Sequence, residues 1–441
     1  MSTSFVPPQP FDGPIARRRF LQAACLPLPA LLPAWATAQV VIKAPRILLL
    51  AQAQQQALAA TLKRDLDATG LARVVRVELR NELPDPGSVR PDGETTHVLL
   101  MEASADRATA RWVDDGGLML GVGTGASVTM QAHRLADDIC QQLFKATTDF
   151  SACLFVAAQR PTAAQGRIAS QIFLVDSEAK NARALLPEYW APIADLACSP
   201  RRVNNAYQLA YVTTSNALRA PRIWIKPVRK GSVSSAVPVD GQTMSPGWCE
   251  GAKGLLMYFA RIDGYNKVSF YRQRAGTPNA SAERLTEING FASPTPSRDG
   301  RHLYYVANPG GRPALQRVDL STGQVESISA NATEPACSPV SDELVFVRSG
   351  SGGNDLVLLD MSTKTETVLA SSQQDIDHPR FSPKGAFVAF TRGSQLCKVA
   401  LRTQTVTDLG NISFGSTRWP RTTGLCWAPA DETVESMSSV L

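Results

Sequence analysis

The chain has 441 residues, 44% of them hydrophobic and 19% charged, which is long enough for two or three domains and too apolar for a disordered chain. Its formal net charge of +6 is a mild excess, and no basic run of five residues or aromatic-basic interleaving occurs, so nucleic acid is excluded as an expected partner. Four histidines and no C-x-x-C pair give zinc, other metals and cofactors no support.

Residues 1–38 read as an export signal. Arg17-Arg18-Arg19-Phe20-Leu21-Gln22 is similar to a twin-arginine signature, with Ala16 where Ser or Thr is usual. An apolar stretch interrupted by Pro27, Pro29 and Pro33 follows, and Ala36-Thr37-Ala38 offers a small-x-small cleavage site before Gln39. The export route, twin-arginine or general, stays open. Cys25 lies at the start of the apolar region rather than its end, so it does not mark a lipoprotein. No later stretch approaches 18 uninterrupted apolar residues, so the mature chain is expected to be exported and not to span a membrane.

Residues 39–150 predict a small α/β domain. Strands are expected at 46–50 and 74–79, with a helix over 52–68 (Leu58, Leu62 and Leu66 on one face) that Gly70 stops. A turn-rich loop over 84–93 leads to a three-strand meander at 97–101, 109–113 and 118–122. Ser127 then caps a helix reaching about Phe144. Gly121-Val122-Gly123-Thr124-Gly125 invites a dinucleotide reading, but the spacing is G-x-G-x-G and it ends the domain, so a flexible loop before a helix is expected.

Residues 151–430 repeat. The stretches from Gly290, Ala332 and Asp377 each carry an x-Pro opening, a Ser-Pro or Pro-Ser turn about four residues on, and three strands separated by Gly, Asn, Asp or Ser turns. Their spacing of roughly 40–45 residues is the period of a four-stranded propeller blade. Divergent copies open at Asp195-Leu196-Ala197-Cys198-Ser199-Pro200 and Met244-Ser245-Pro246-Gly247-Trp248. Residues 152–193 lack an opening motif, and Ser416-Thr417-Arg418-Trp419-Pro420 supplies one without its strands, so the two chain ends are expected to share a blade. That gives an all-β propeller of six blades, with five or seven left open by the degenerate early copies. The tail over 431–441 is polar and expected to be disordered.

Seven cysteines remain after the export segment, an odd number. Cys198 and Cys337 occupy one repeat slot, which Phe381 fills in another blade. Equivalent slots are spread around a ring, beyond disulfide reach, so these thiols are expected to be small core residues.

This layout resembles the TolB family, the periplasmic propellers of the Tol-Pal envelope system. The resemblance rests on the export signal, the small α/β domain, about six blades, and the helix from Ala132 to Ile139 that leads into the first propeller strand. It also rests on Gly311-Arg312-Pro313, Asp319-Leu320-Ser321-Thr322-Gly323 and the Thr333-Glu334-Pro335 opening. The family's A-W-S-P-D-G turn survives only in parts, as in Ser297-Arg298-Asp299-Gly300 and Ser382-Pro383-Lys384-Gly385. The resemblance implies an adaptor that binds a Pal-type lipoprotein over one mouth of the ring and a TolA-type inner-membrane protein through its mature N-terminus. Carried onto this chain, the Pal-facing candidates are Ser245, Ser293, Thr333, Glu334 and His378. The TolA candidates lie in 39–43, with Gln39, Val40 and Val41 at their head.

An enzyme is not expected. No G-x-S-x-G elbow occurs, the small domain holds only His97 and His133, and adjacent pairs such as Asp137-Asp138 diverge on a helix. An exported propeller that binds another envelope peptide or a carbohydrate stays open, because propeller shape does not decide the ligand.

Overall fold

The run Arg46–Gln52 (β1) is nearly continuous in apolar residues, the pattern of a strand buried on both faces. A computed structural model describes residues 44–429 except 114–117, 126, 163–166, 215–219, 230, 233, 252–253, 265–266, 277–280 and 290–292. The expected export segment, the 39–43 stretch and the tail lie outside the described residues. In the α/β part, β1 lies inside a five-stranded sheet ordered β2-β1-β3-β4-β5. Here β2 is Arg73–Arg80, β3 is His97–Ala103, β4 is Arg107–Val113 and β5 is Leu118–Thr124. The first three strands are parallel and the last two antiparallel.

Two helices, α1 (Gln56–Ala68) and α2 (Val128–Phe144), cover one face. Leu58, Leu62 and Leu66 of α1 meet Leu135 and Ile139 of α2 over Ile47 and Leu49 of β1. The other face buries Leu48, Leu50, Val98 and Leu100 beneath Leu83 and Val89. The Ser127 hydroxyl accepts from the Met130 amide at 3.2 Å, capping α2 as its sequence position implied.

The glycines before α2 form no flexible loop. Gly121 and Gly123 lie within β5, and a Cβ at Gly123 would fall 1.9 Å from the Gln131 carbonyl oxygen. Their role is close approach of helix to strand.

Six four-stranded sheets follow, one per blade. The innermost strands of blades 1–5 are Ile193–Cys198, Gln242–Gly251, Thr295–Pro296, Ala332–Cys337 and Ile376–Phe381. Blade 6 is shared between the chain ends. Its inner strand is Arg421–Trp427, which pairs antiparallel with β6 (Cys153–Pro161), followed outward by β7 (Ile168–Asp176) and β8 (Arg183–Ala184). The expected restart at residues 416–420 is not this strand. Thr417–Trp419 instead pairs with Ile412–Phe414 in a hairpin, with Trp419 packed 5.1 Å from Phe173, and the inner strand begins after Pro420. Proline has no N–H to give a ladder, so the strand starts beyond it.

The outer hairpins use one turn chemistry. The Asp360 carboxylate accepts from the Ser362 hydroxyl at 2.6 Å and from the Ser362 and Thr363 amides at 2.8 and 3.1 Å. Asp319 accepts from Ser321 and Thr322 in the same way.

The α/β part contacts one end of the propeller only. The inner strands run from an irregular start toward a Ser-containing turn, and the contacts lie at the turn end. Buried Asp149 accepts from the Ser382 hydroxyl at 2.7 Å and from the Lys384 amide at 3.0 Å. The Thr403 hydroxyl donates to the Ala68 carbonyl at 3.2 Å, and Ser177 Oγ to the Phe150 carbonyl at 2.6 Å.

Two measurements test these points. Gly123→Ala should lower stability by at least the roughly 1–3 kcal/mol typical of overpacking, because the obstructing atoms are backbone. A urea midpoint equal to that of the parent would contradict the close approach. The hydroxyl and amide donors hold the Asp360 carboxyl down to about 2. Its contribution to stability is therefore present above the ordinary aspartate range and lost as pH falls through about 2. A carbon-13 titration of Asp360 should show that midpoint, and Ser362→Ala should move it upward.

Candidate functional site

At the irregular start of the inner strands of blades 1, 2, 4, 5 and 6 the ladder slips. Register shifts fall between Met244 and Gly247, Thr333 and Ala336, Asp377 and Arg380, and Thr422 and Gly424, with another in blade 1 opposite Ala210 and Val212. A residue at or just before the start of the inner strand is left-handed in five consecutive blades: Asp195 (φ 50°), Ser245 (53°), Ser293 (80°), Glu334 (52°) and His378 (54°). A non-glycine residue there costs roughly 1–2 kcal/mol. Repetition of such strain at one place, away from any tight hairpin, makes this end the candidate site. In four of the five the next residue is proline, which gives no N–H to the slipped ladder. Blade 6 places Thr423-Gly424 here, and a Cβ at Gly424 would come 3.0 Å from the Asp195 amide nitrogen.

These residues surround the end of a central channel of about 330 Å³, opposite the end the α/β part touches. Neighbouring blades are stitched across it. The Ser245 amide and hydroxyl donate to Asp195 Oδ2 at 3.2 and 3.4 Å. Thr295 Oγ1 donates to the Pro335 carbonyl at 2.8 Å, and Thr423 Oγ1 to the Ile193 carbonyl at 2.6 Å. Two indoles, Trp248 and Trp427, donate to the Ala197 and Arg380 carbonyls at 3.1 and 3.0 Å. His378 Nδ1 lies 3.8 Å from Glu334 Oε2 and has no hydrogen-bond partner among the described residues. Asp195 and Glu334, three blades apart, put two carboxylates across the mouth from one another, with Arg380 deeper in the channel.

Of the residues singled out in the sequence, Ser245, Ser293 and Glu334 line the channel and His378 stands beside Glu334. Thr333 does not; it pairs with Val347 in the ladder, one residue before the slip. Gln39, Val40 and Val41 lie outside the described residues. Sequence reasoning passed over Asp195 and Thr423. The signal for Asp195 was its place three residues before Cys198, matching Glu334 before Cys337, but Leu196 hid the x-Pro pattern.

The cysteines also differ from expectation. Cys198, Cys337 and Cys426 line the channel wall, and the first two are half-buried rather than core. None of the seven described cysteines is in a disulfide. Burial pushes the Cys140, Cys397 and Cys426 thiols up to about 12 and Cys249 to about 11, away from thiolate reactivity.

One group among the described residues has metal-ligand chemistry. Asp65 (α1), His133 (α2) and Glu178 (after β7) meet where the α/β part joins the propeller. His133, 1% exposed, directs Nδ1 to Asp65 Oδ2 at 2.6 Å and Nε2 toward Glu178 Oε1 at 3.5 Å. The two carboxylates thus address opposite edges of the ring, and Arg64 pairs with both. Metal ligands must converge on one point, so this group reads as an ionic joint between the two parts. Burial opposes charge on Glu178, yet Lys180, His133 and Arg64 hold its carboxyl below the usual range.

Comparison with known proteins agrees with this architecture. The family model "TolB beta propeller domain" matches residues 147–412. A protein TolB homolog from Chlorobium chlorochromatii (strain CaD3) is 34% identical over 114 residues, which are 25% of this chain and 26% of that relative. The crystal structure of TolB from Acinetobacter baumannii has the same fold, with a TM-score of 0.68 at 18% identity, covering 88% of this chain and 97% of that one.

Thiol reactivity checks the channel wall. In the folded chain Cys198 should take up iodoacetamide first, while burial holds the Cys337 thiol far above the ordinary range and keeps it slow until unfolding. Mass spectrometry showing early adducts on Cys140 or Cys153 would contradict the packing described above. With the family model covering more than half of its length and both ends of the ring accounted for, the chain belongs to the TolB β-propeller family.

Proposed function

We propose that this chain is a periplasmic protein–protein adaptor of the Tol-Pal envelope system, binding a Pal-type lipoprotein across the open channel mouth in support of outer-membrane integrity and cell division. The observation that carries the proposal is the ring of left-handed residues Asp195, Ser245, Ser293, Glu334 and His378. They are strained, polar, repeated blade by blade, and on the end the α/β part leaves clear. Loops that converge on one end of a propeller form a contact surface suited to a protein. The Glu334 carboxylate and the His378 ring beside it supply the polar groups at its edge.

Residues 1–38 act in this reading as the cleaved export signal, 39–150 as the α/β domain and 151–430 as the propeller. The mature N-terminus, with Gln39, Val40 and Val41, is the segment offered to a TolA-type inner-membrane protein. A propeller that takes a different envelope peptide or a carbohydrate at the same mouth is the second reading, since the channel is large enough for a side chain to enter.

Titration calorimetry of the chain from Gln39 against the soluble domain of the Pal-type lipoprotein of the same organism tests the proposal. Saturable binding is expected, weakened about tenfold or more by Glu334→Lys or His378→Ala. Binding unchanged by both substitutions places the site elsewhere. No binding, with both proteins folded, overturns the adaptor reading in favour of the second.

A further inference from the structure

A second cavity, of about 190 Å³, opens between blades 1 and 2 at the propeller end opposite the mouth. Its walls include Ile225, Trp248 and Met257, and its polar groups are unusual for a gap between blades. Gln273, 6% exposed, lines it from the strand Lys267–Arg274, and its side-chain carbonyl oxygen is buried with no hydrogen-bond partner among the described residues. An orphaned buried acceptor costs about 1–3 kcal/mol, so Gln273 calls for a donor from a ligand or an ordered water. The neighbouring Gln208 cannot serve as that donor, because its Nε2 is committed to the Val203 and Ala206 carbonyls at 3.3 and 3.2 Å. Arg229 and Arg274 are exposed at the rim, no acidic side chain lines the cavity, and Arg229 has no ion-pair partner among the described residues.

We infer that this cavity is a binding site for the C-terminal residue of a peptide. Three requirements lead to that class: an apolar group for the Ile225, Trp248 and Met257 walls, an N–H for Gln273, and an anion for Arg229. A chain-terminal residue with an apolar side chain carries all three on adjacent atoms. The cavity is below the usual range for drug-sized ligands and suits one residue. Capture of a terminal carboxylate is an established mode of peptide recognition. The cavity and the channel share one residue, Trp248, whose indole N–H donates to the Ala197 carbonyl in the channel wall and whose side chain also lines the cavity.

The test uses the folded mature chain with acetyl-Gly-Leu as the free acid and as its carboxamide, followed by calorimetry and by the Gln273 side-chain amide signals. The acid should bind saturably and the amide about tenfold more weakly. Gln273→Met, which keeps the shape and removes the acceptor, should weaken the acid about tenfold while leaving the urea midpoint equal or higher, because the orphan is gone. Arg229→Gln should make acid and amide bind alike. Glu334→Lys at the mouth should change nothing, which separates this site from the proposed adaptor surface. Parent-like affinity in Gln273→Met overturns the inference. So does acid and amide binding alike to the parent, or no saturation with either probe, which would leave the acceptor to a buried water.

Discussion

The pairing of Arg421–Trp427 with Cys153–Pro161 is the contact on which the rest of the structure depends. A row of blades has an unpaired inner strand at one end and an unpaired edge at the other, and each is open to aggregation. Building blade 6 from both ends of the chain removes the two liabilities together and makes the ring a closed unit. The seam is reinforced at its centre by the Thr423 bond to Ile193 in blade 1 and the Trp427 bond to Arg380 in blade 5. It is reinforced farther out by Trp419 against Phe173, with Arg160 over the indole. Without the closure, the left-handed residues of blades 1–5 would be spread along an open curve and would surround nothing.

The same seam anchors the α/β part. Thr148 and the Phe150 and Ser151 amides hydrogen-bond to Asp137 of α2, so the connection into β6 is held along its length. One continuous core then runs from Ile47 and Leu62 through Phe150 to Phe387 and Leu425. Polar groups give that joint a defined geometry: Asp149 with the Ser382 turn, and His133 between Asp65 and Glu178. Burial pushes Lys398 down, against the nearby Asp65 and Glu178 carboxylates, and its ammonium still reaches the Ser177 carbonyl at 2.8 Å. A buried polar network specifies one arrangement more sharply than apolar contact does, even with His133 Nε2 reaching Glu178 only at 3.5 Å and without a hydrogen bond. The α/β part and the blades are therefore joined as one body, with the mouth left clear at the far end.

Strain and closure are connected at the mouth. Each slip turns the inner strand so that a polar side chain and a carbonyl reach the neighbouring blade, and the cross-blade bonds offset part of the left-handed cost. His378 is the exception, its Nδ1 facing Glu334 without a hydrogen bond.

The repeat, the α/β elements and the sharing of a blade by the chain ends were all legible in the residues, because strand alternation, helical spacing and turn chemistry are local. Ser127 as a cap and Asp319 as a turn residue are read from neighbours within a few positions. Ser245, Ser293, Glu334 and His378 were legible as candidates because proline follows each of them. What local reading missed depends on long-range packing. Asp195 joins the ring without a following proline, Thr333 stands beside the ring residue without being one, and Pro420 shifts the closing strand beyond the motif that announced it. His133 looked idle because its partners, Asp65 and Glu178, lie 68 and 45 positions away in sequence. Glycines 121 and 123 looked like a loop because only the packed helix shows why a Cβ cannot be there. Sequence by itself determined which elements form and their order, since those follow from short-range chemistry. Only the tertiary structure decided which residues face the channel, because closing the ring sets how each inner strand is turned.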